Sequence, residues 1–223
     1  MIASVTIKIC GLSTPETVQA ALDAGADMVG FVFFEPSPRN ISFERARELG
    51  PLATGTAGKV ALSVDADDAL LEGAVNALQP DLLQLHGKES PERIAVLKQR
   101  YDLPVMKAIH VSEAADLIVM DEYQDIADRL LFDAKPPKGA IVPGGNGEAF
   151  DWAILRNVHT TKPWMLSGGL DMNNVRDAIR ITGARGIDVS SGVESSRGVK
   201  DAELIRSFIR AVRSAGPKLA SGG

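Results

Sequence analysis

Short apolar runs alternate with amphipathic helical patterns along all 223 residues of the chain. Most of these runs are continuously apolar, which is typical of parallel strands that are covered on both faces. Eight such strand–helix units predict a single-domain α/β fold, the (β/α)8 or TIM barrel. A doubly wound open sheet is the structural alternative, but no Gly-x-Gly-x-x-Gly motif follows the first run. The eight predicted strands are Val5–Cys10, Met28–Phe33, Lys59–Val64, Leu82–Leu85, Val105–Ile109, Leu130–Asp133, Pro163–Leu166 and Gly186–Val189.

The helices between these strands begin at recognisable caps. Thr14-Pro15-Glu16 supplies a capping hydroxyl, a proline at the first helical position and a carboxylate in the first turn, and Ser90-Pro91-Glu92 repeats this pattern. The segment from Ala134 to Phe150 is a long loop rich in glycine and proline, and loops of that length are usually functional. Further helix caps are predicted at Ser42, Asp67, Ser112, Asp151 and Asp171.

No linker divides the chain, so one barrel domain is predicted over residues 1–215, followed by a polar, flexible tail at 216–223. Hydrophobic residues make up 45% and charged residues 24% of the chain, as in ordinary globular proteins. Aromatic residues make up 5%, which does not indicate a large obligate interface, so a monomer is expected.

The charge balance excludes several classes of partner. Lys and Arg number 24 against 29 Asp and Glu, a net charge of −5, so neither nucleic acid nor a membrane surface is an expected partner. No apolar run reaches the roughly 18 residues of a membrane span, and the first residues lack a secretory signal pattern. The single cysteine excludes an internal disulfide and a multi-thiolate zinc site. A cytoplasmic protein is therefore predicted.

In a barrel, the loops that follow the strands converge on the active site. Two glycine-rich turns lie there after the last two predicted strands, and their backbone N–H groups could bind a phosphate group. Glycine is also common in ordinary connections, so either turn alone is a weak signal. The candidate phosphate-binding residues are Gly168, Gly169, Ser191 and Gly192.

Two strand ends carry candidates for proton transfer. Cys10 ends the first strand, with Lys8 on the same face, and a positive neighbourhood lowers the pKa of a thiol. Asp133 ends the sixth strand, and a carboxyl group can donate a proton near neutrality when burial raises its pKa. The structural alternatives are a buried small hydrophobe at Cys10 and a turn cap at Asp133.

Other polar residues at the same rim are candidate substrate contacts. Arg39, on a loop stiffened by prolines, could grip a carboxylate or form a surface salt bridge. Lys8, His86 and Asp188 are further candidate contacts. No metal-ligand spacing and no Ser-His-Asp triad emerges, so no metal is predicted.

These residues lie in segments that resemble the phosphoribosylanthranilate isomerase family of tryptophan biosynthesis, whose members are (β/α)8 barrels. The similarity covers nearly the whole chain, and seven motifs occur in the order typical of the family. They are Lys8–Leu12, Gly25–Phe33, Pro36–Ser42, Leu83–Gly87, Gly144–Trp152, Leu166–Leu170 and Asp188–Glu194.

The resemblance implies an Amadori rearrangement of N-(5-phosphoribosyl)anthranilate to 1-(2-carboxyphenylamino)-1-deoxyribulose 5-phosphate. It implies Cys10 as general base and Asp133 as general acid, with Arg39 on the anthranilate carboxylate and the two glycine turns on the phosphate. The nitrogen of the substrate supplies the electron sink, so no cofactor is expected. The chain departs from the family pattern at Glu148-Ala149, where Lys-Thr is frequent, and at Arg197, where proline is frequent.

Three alternative functions remain open at the level of sequence. A metal-dependent sugar-phosphate epimerase would need His and Asp ligands at several strand ends. An indole-glycerol-phosphate synthase would need a lysine acid, for which Lys107 is the candidate. A barrel that only binds a phosphorylated metabolite would keep the phosphate turns and Arg39 but would not need Cys10.

Overall fold

Eight parallel strands close into a barrel in chain order, with β1 pairing both β2 and β8. The computed structural model describes residues 5–136, 139–140, 142–145, 147 and 149–215. The closed order confirms the predicted (β/α)8 barrel, and each strand agrees with its apolar run to within two residues. The strands are β1 (Thr6–Cys10), β2 (Met28–Phe33), β3 (Gly58–Ser63), β4 (Leu82–Leu85), β5 (Val105–Val111), β6 (Arg129–Ala134), β7 (Trp164–Leu166) and β8 (Gly186–Val189).

The first four helices begin where the capping residues predicted them. The side chains of Thr14, Ser42, Asp67 and Ser90 each accept a hydrogen bond from the backbone N–H three residues further on, which satisfies a donor that the helix itself leaves unpaired. The helices are α1 (Pro15–Asp23), α2 (Phe43–Ala53), α3 (Asp68–Leu78) and α4 (Pro91–Tyr101).

The fifth and sixth units carry only short helices. A 3-10 helix, Ala114–Val119, leads into α5 (Met120–Tyr123), and a second one, Trp152–Asn157, follows the long loop. Asp151 caps the second of these as predicted, whereas Ser112 caps nothing and instead donates its backbone N–H and its hydroxyl to Asp116.

The helix start predicted at Asp171 is wrong by one turn. The Asp171 carboxylate accepts hydrogen bonds from the N–H groups of Asn173 and Asn174, which form a separate turn before α6 (Val175–Thr182). The carboxylate therefore closes a local turn of its own, since Asp side chains bond the backbone two or three residues ahead with equal ease in turns and in caps.

A small hairpin follows β8, in a segment where no strand was predicted. The 3-10 turn Ser191–Val193 runs into β9 (Glu194–Ser196), which pairs with β10 (Val199–Lys200) in an antiparallel manner. Asp201 then caps the final helix, α7 (Ala202–Ser214), with two backbone hydrogen bonds. The hairpin matters for the site because it folds back over the carboxyl end of β8.

Two main apolar layers hold the barrel together, and a third, small cluster of Cys10, Val32 and Leu62 lies at the cavity. The larger one lies between the strands and the helices. The smaller one consists of alternate residues of β3 to β7 that face the barrel axis, namely Val60, Leu82, Met106, Ala108, Leu131 and Met165. None of the helices in the described ranges is long and apolar enough to cross a membrane. The predicted tail at 216–223 lies outside the described residues.

Candidate active site at the mouth of the barrel

A cavity opens at the carboxyl ends of the strands, and its space together with the adjoining open solvent amounts to about 770 Å³. It is lined by most of the residues that the sequence singled out, from six different strand ends or their loops. Lys8, with no exposed surface, and Gly192 do not line it. The predicted residues that do are Cys10, Arg39, His86, Asp133, Gly168, Gly169, Asp188 and Ser191.

Cys10 ends β1 and is 4% exposed. Burial raises the pKa of its thiol, because the thiolate loses water, and this effect outweighs the opposing charges of Lys8 and Lys200. The expectation that a positive neighbourhood would lower this pKa is therefore wrong in its net direction. The cations are present, but they only offset part of the cost of burying the thiolate.

Lys8 is fully buried and forms an ion pair with Asp188. Its Nζ donates to Asp188 Oδ1 at 2.9 Å. Burial alone would lower the pKa of Lys8, but Asp188 and Cys10 together raise it above its ordinary value. Since Asp188 already balances this ammonium group, Lys8 supplies less net positive charge to Cys10 than its position in the sequence suggests.

Asp133 belongs to a chain of three polar side chains. His86 Nε2 lies 3.1 Å from Asp133 Oδ2, and His86 Nδ1 lies 3.0 Å from Gln84 Nε2. The backbone N–H of Ala134 donates to Asp133 Oδ1 at 2.9 Å. All three side chains are buried, so the orientation of the carboxyl group toward the cavity is set from two sides.

The long loop after β6 folds over this carboxyl group. A Cβ atom on Gly144 would lie 2.7 Å from both Asp133 Oδ2 and His86 Nε2, so only glycine lets the loop come this close. Val142, Pro143 and Gly145 also line the cavity. Of the pair that departs from the family pattern, Glu148 lies outside the described residues and Ala149 is absent from the cavity lining.

His110 completes a cluster that the sequence did not reveal. It is paired in register with Asp133 on the neighbouring strand, and its ring centroid lies 5.2 Å from that of His86. Burial, together with the nearby His86, lowers the pKa of His110. Ligand-capable atoms of His86, His110 and Asp133 all lie within 4.8 Å of one another. One feature of the sequence could have revealed this cluster: a titratable residue stands at or next to the end of each of three consecutive strands, β4, β5 and β6.

Arg39 is buried and is held by a carboxylate. Its Nε donates to Glu194 Oε1 at 2.6 Å and its Nη2 to Glu194 Oε2 at 3.0 Å, and Nη2 also donates to the carbonyl of Gly145 at 3.1 Å. The salt bridge considered for Arg39 thus exists, but inside the site rather than on the surface. The two hydrogen bonds to Glu194 come from Nε and Nη2, so Nη1 takes no part in this ion pair.

Glu194 and Lys200, on the two strands of the hairpin, form a pair that we call the β9–β10 bracket. Lys200 Nζ donates to Glu194 Oε1 at 2.6 Å and to the carbonyl and hydroxyl oxygens of Ser190 at 2.8 and 3.1 Å. The bracket therefore ties Arg39 to the end of β8, beside the second glycine turn. Sequence reasoning assigned no function to either residue.

Burial and charge shift the pKa values of both bracket residues. Burial works against ionisation of Glu194, but Arg39 and Lys200 more than compensate and lower its pKa to about 2. Burial lowers the pKa of Lys200 to about 8 in spite of Glu194. The bracket thus holds a firmly ionised carboxylate and an ammonium group that releases its proton in mildly alkaline solution.

The two glycine-rich turns require glycine for different structural reasons. Gly168 adopts a left-handed backbone with φ of +90°, and a Cβ atom there would lie 2.6 Å from the backbone nitrogen of Ala134. Gly168, Gly169 and Ser191 line the cavity. Gly192 instead packs against the carbonyl of Leu170 so closely that no side chain would fit.

The ammonium group of Lys107 forms its hydrogen bonds away from the cavity. Its Nζ donates to the carbonyl of Gly87 at 2.6 Å and to Glu89 Oε2 at 2.9 Å, it is 2% exposed, and it does not line the cavity. Burial raises the pKa of Glu89, but Lys107 outweighs this and holds it below its usual value. The lysine acid that an indole-glycerol-phosphate synthase would need is therefore not supplied by Lys107.

Comparison with known proteins gives consistent matches over the chain. The family model for N-(5'phosphoribosyl)anthranilate (PRA) isomerase matches residues 7–211. The N-(5'-phosphoribosyl)anthranilate isomerase of Bradyrhizobium sp. (strain ORS 278) is 60% identical over 212 residues, 95% of this chain and 97% of that protein. The one from Nitrobacter winogradskyi is 61% identical over 95% of this chain and 94% of that protein.

Two solved structures are similar in fold as well. Phosphoribosyl anthranilate isomerase from Thermotoga maritima matches with a TM-score of 0.84 and 33% identity, over 94% of this chain and 99% of that one. A phosphoribosyl anthranilate isomerase in complex with reduced 1-(o-carboxyphenylamino)-1-deoxyribulose 5-phosphate matches with a TM-score of 0.81 and 31% identity, over the same shares.

Proposed function

Since this chain belongs to the N-(5'-phosphoribosyl)anthranilate isomerase family and is an isomerase of tryptophan biosynthesis, we propose that Cys10 and Asp133 are the base and the acid of its reaction. The observation that carries this proposal is that both groups line one cavity from different sides of the barrel, on β1 and β6. The reaction is the Amadori rearrangement of N-(5'-phosphoribosyl)anthranilate to 1-(2-carboxyphenylamino)-1-deoxyribulose 5-phosphate.

In the first step, Asp133 gives its proton to the furanose ring oxygen as the bond from that oxygen to carbon 1 breaks. The anthranilate nitrogen supplies the electron pair, so an iminium ion forms at carbon 1 and no cofactor is required. His86 and the N–H of Ala134 hold the carboxyl group in place for this transfer.

In the second step, the Cys10 thiolate removes the proton on carbon 2, which the adjacent iminium ion makes acidic. The electrons of that C–H bond form the double bond between carbons 1 and 2, and the nitrogen regains its electron pair. Tautomerisation of the resulting enol to the ketone, with a proton returned to carbon 1, completes the isomerisation. The thiolate is the reactive minority form, because burial raises the pKa of Cys10.

Two anchors would orient the substrate across the cavity. We propose that Arg39 binds the anthranilate carboxylate through Nη1, the nitrogen that its contacts to Glu194 do not use. Backbone N–H groups of the turns at Gly168, Gly169 and Ser191 would bind the phosphate. The related structure that contains the reduced product carries a ligand with both of these anionic groups. Gly192 would act by shaping its turn rather than by touching the phosphate.

The test is the loss of anthranilate fluorescence when the purified protein meets freshly generated substrate. We expect rapid decay with the parent and a loss of about 10²- to 10⁴-fold with Cys10→Ala and with Asp133→Asn, the usual contribution of a general acid or base. Lys88→Met, at an exposed lysine, serves as the matched control and should retain parent activity.

Binding of the reduced product analogue separates chemistry from folding in the same variants. Both inactive variants should bind this analogue nearly as tightly as the parent does, because the anchors are intact. Full activity in Cys10→Ala would remove Cys10 as the base, while binding without turnover in the parent would favour the binding-only alternative. We also propose that this biosynthetic enzyme is a monomer in the cytoplasm, since few large apolar side chains are exposed among its described residues.

A further inference from the structure

We propose that His86, His110 and Asp133 form a binding site for a divalent transition-metal ion of the zinc type, and that the bound ion inhibits the isomerase. The site follows from the geometry of three neighbouring strand ends. The inhibition rests on the proposed function, because it requires Asp133 to be the proton donor.

The three side chains offer a donor set that suits such an ion. One ring nitrogen from each histidine and one carboxylate oxygen lie within 4.8 Å of one another, and two of these atoms, His86 Nε2 and Asp133 Oδ2, are 3.1 Å apart. In a tetrahedral site with metal–ligand bonds of about 2.0–2.2 Å, neighbouring ligand atoms lie about 3.3–3.6 Å apart, so the most separated of the three atoms must move closer by about 1 Å to hold an ion. Two imidazoles and one carboxylate leave a fourth position for water, as in open zinc sites.

The surroundings of the ligands favour an ion over a simple hydrogen-bonded cluster. Among the described residues, His110 Nδ1 is buried and finds no hydrogen-bond partner, which is costly unless something else satisfies it. The Gln84 amide donates from Nε2 to His86 Nδ1 at 3.0 Å, so His86 Nε2 carries its proton toward Asp133. Metal binding through Nε2 requires the proton on Nδ1. Rotation of the Gln84 amide meets this requirement, because it brings Oε1, which is buried and without a partner among the described residues, to accept from Nδ1–H.

Two of the three ligands are reached from the cavity, because His86 and Asp133 both line it. Gly144 keeps them uncovered. A Cβ atom on that residue would lie 2.7 Å from both His86 Nε2 and Asp133 Oδ2, so a larger residue at this point of the loop would crowd the two ligand atoms.

An ion at this site would stop the proposed chemistry. It would occupy the lone pair of Asp133 Oδ2 and replace the proton that the carboxyl group must deliver to the ring oxygen. It would also take the place of the hydrogen that lies between His86 and Asp133. The expected effect is inhibition by metal that a chelator reverses, without loss of the fold.

The experiment measures metal binding and activity separately. Zinc binding is followed by calorimetry, and cobalt binding by its visible absorption, in a buffer that does not coordinate metal. Four proteins are compared: the parent, His110→Phe, Cys10→Ser, and the matched control His159→Phe at an exposed histidine. His110→Phe keeps the ring but removes the ligand atoms, and Cys10→Ser tests whether the thiolate is the true ligand.

We expect the parent, His159→Phe and Cys10→Ser to bind one zinc ion, and His110→Phe to bind it at least tenfold more weakly. The parent and His159→Phe should lose activity with zinc and regain it with chelator, while His110→Phe should stay active at the same zinc concentration. Binding that survives in His110→Phe and disappears in Cys10→Ser would overturn the site.

The two proposals fail in different ways. Binding that depends on His110 but leaves turnover undiminished would overturn the inhibition and would count against Asp133 as the acid. The parent protein could bind zinc through His110 and yet fail to isomerise the substrate when it is free of zinc. That result would contradict the proposed function and would support the metal site.

Discussion

The thiol of Cys10 lies among buried charges of both signs. Lys8 and Lys200 favour the thiolate, whereas Asp188 opposes it, and the loss of water on burial is the largest influence of all. If Cys10 is the base, as proposed, little of it is ionised at neutral pH, but its thiolate is a strong base. The rate of the enzyme should therefore follow the fraction of thiolate as the pH rises.

Replacing Lys200 tests this dependence. In Lys200→Met the thiol loses a neighbouring cation wherever Lys200 is charged, so below the lysine's pKa of about 8 the fraction of thiolate and kcat/KM both fall, and above it the two pH profiles converge. Near neutrality kcat/KM should fall by about an order of magnitude. In the parent, Lys200 itself loses its proton near its pKa of about 8, so the support it gives to the thiolate fades above that pH.

The measurement is the pH profile of kcat/KM from mildly acidic to alkaline solution, with Lys88→Met as the control at an exposed lysine. A role in packing alone would lower the activity at every pH by one factor. A profile that keeps its shape and position would therefore contradict the electrostatic role of Lys200.

Residues at strand ends could be predicted, and residues that act through the hairpin could not. Cys10 and Asp133 end apolar runs, so their place at the mouth of a barrel follows from the pattern alone. Glu194 reaches Arg39 across 155 positions of the chain, and only the folded hairpin brings them together. Nor could the pattern weigh burial against nearby cations, which is why the direction predicted for the pKa of Cys10 was wrong.

At the scale of elements, the loop after β6 acts as a wall of the cavity rather than as a distant cover. Val142 to Gly145 lie against the cavity, with Gly144 beside the Asp133–His86 pair and Gly145 bonded through its carbonyl to Arg39. The position of Asp133, the proposed acid, is therefore set by both a strand and a loop.

Gly144→Ala should move the acid without removing it. The added methyl would lie 2.7 Å from Asp133 Oδ2 and His86 Nε2, so the loop or the carboxyl group must shift. We expect kcat to fall about 10- to 100-fold, as misplacements of about 1 Å commonly cause. Gly139→Ala is the control in the same loop, because its Cβ meets nothing within 4 Å.

The comparison is made by steady-state kinetics, with thermal unfolding to confirm that both variants fold. The control has a positive φ of +85°, so its alanine variant should lose a little stability but little activity. Equal activity of Gly144→Ala and the parent would show that the loop is not in contact with the acid during turnover.

The elements with strong local signals were predicted well. Strands and the first four helices carry continuous apolar runs and capping side chains, both of which are encoded within a few neighbouring residues. The cap of the fifth unit's short helices, the turn at Asp171 and the β9–β10 hairpin were not, because their conformations depend on side-chain hydrogen bonds and on packing against distant segments.

At the scale of the whole molecule, one buried ion pair lies on the seam where the barrel closes. β1 and β8 are the first and last strands, and Lys8 and Asp188 are paired in register across them. Both side chains are almost entirely buried. The pair therefore joins the two ends of the chain inside the barrel.

Asp188→Asn should strongly destabilise the fold, because it leaves the Lys8 ammonium group buried without a compensating charge. Loss of one partner of a buried pair costs about 3–5 kcal/mol. Denaturant unfolding measures this difference. The control is Asp177→Asn, which removes an exposed pair with Arg180 and should change the free energy of unfolding by less than about 0.5 kcal/mol. A cost below about 1 kcal/mol for Asp188→Asn would show that the seam relaxes around the free cation.

The β9–β10 bracket also bears on how this barrel could diverge toward other sugar phosphates. Glu194 holds the arginine assigned to the aromatic end of the substrate, and its partner Lys200 holds the end of β8, next to the turn assigned to the phosphate. A mutation that frees Arg39 for a ligand of different length also loosens the opposite anchor. Changes of substrate in this lineage should therefore arise as paired substitutions, one at the arginine loop and one in the hairpin, rather than as single steps.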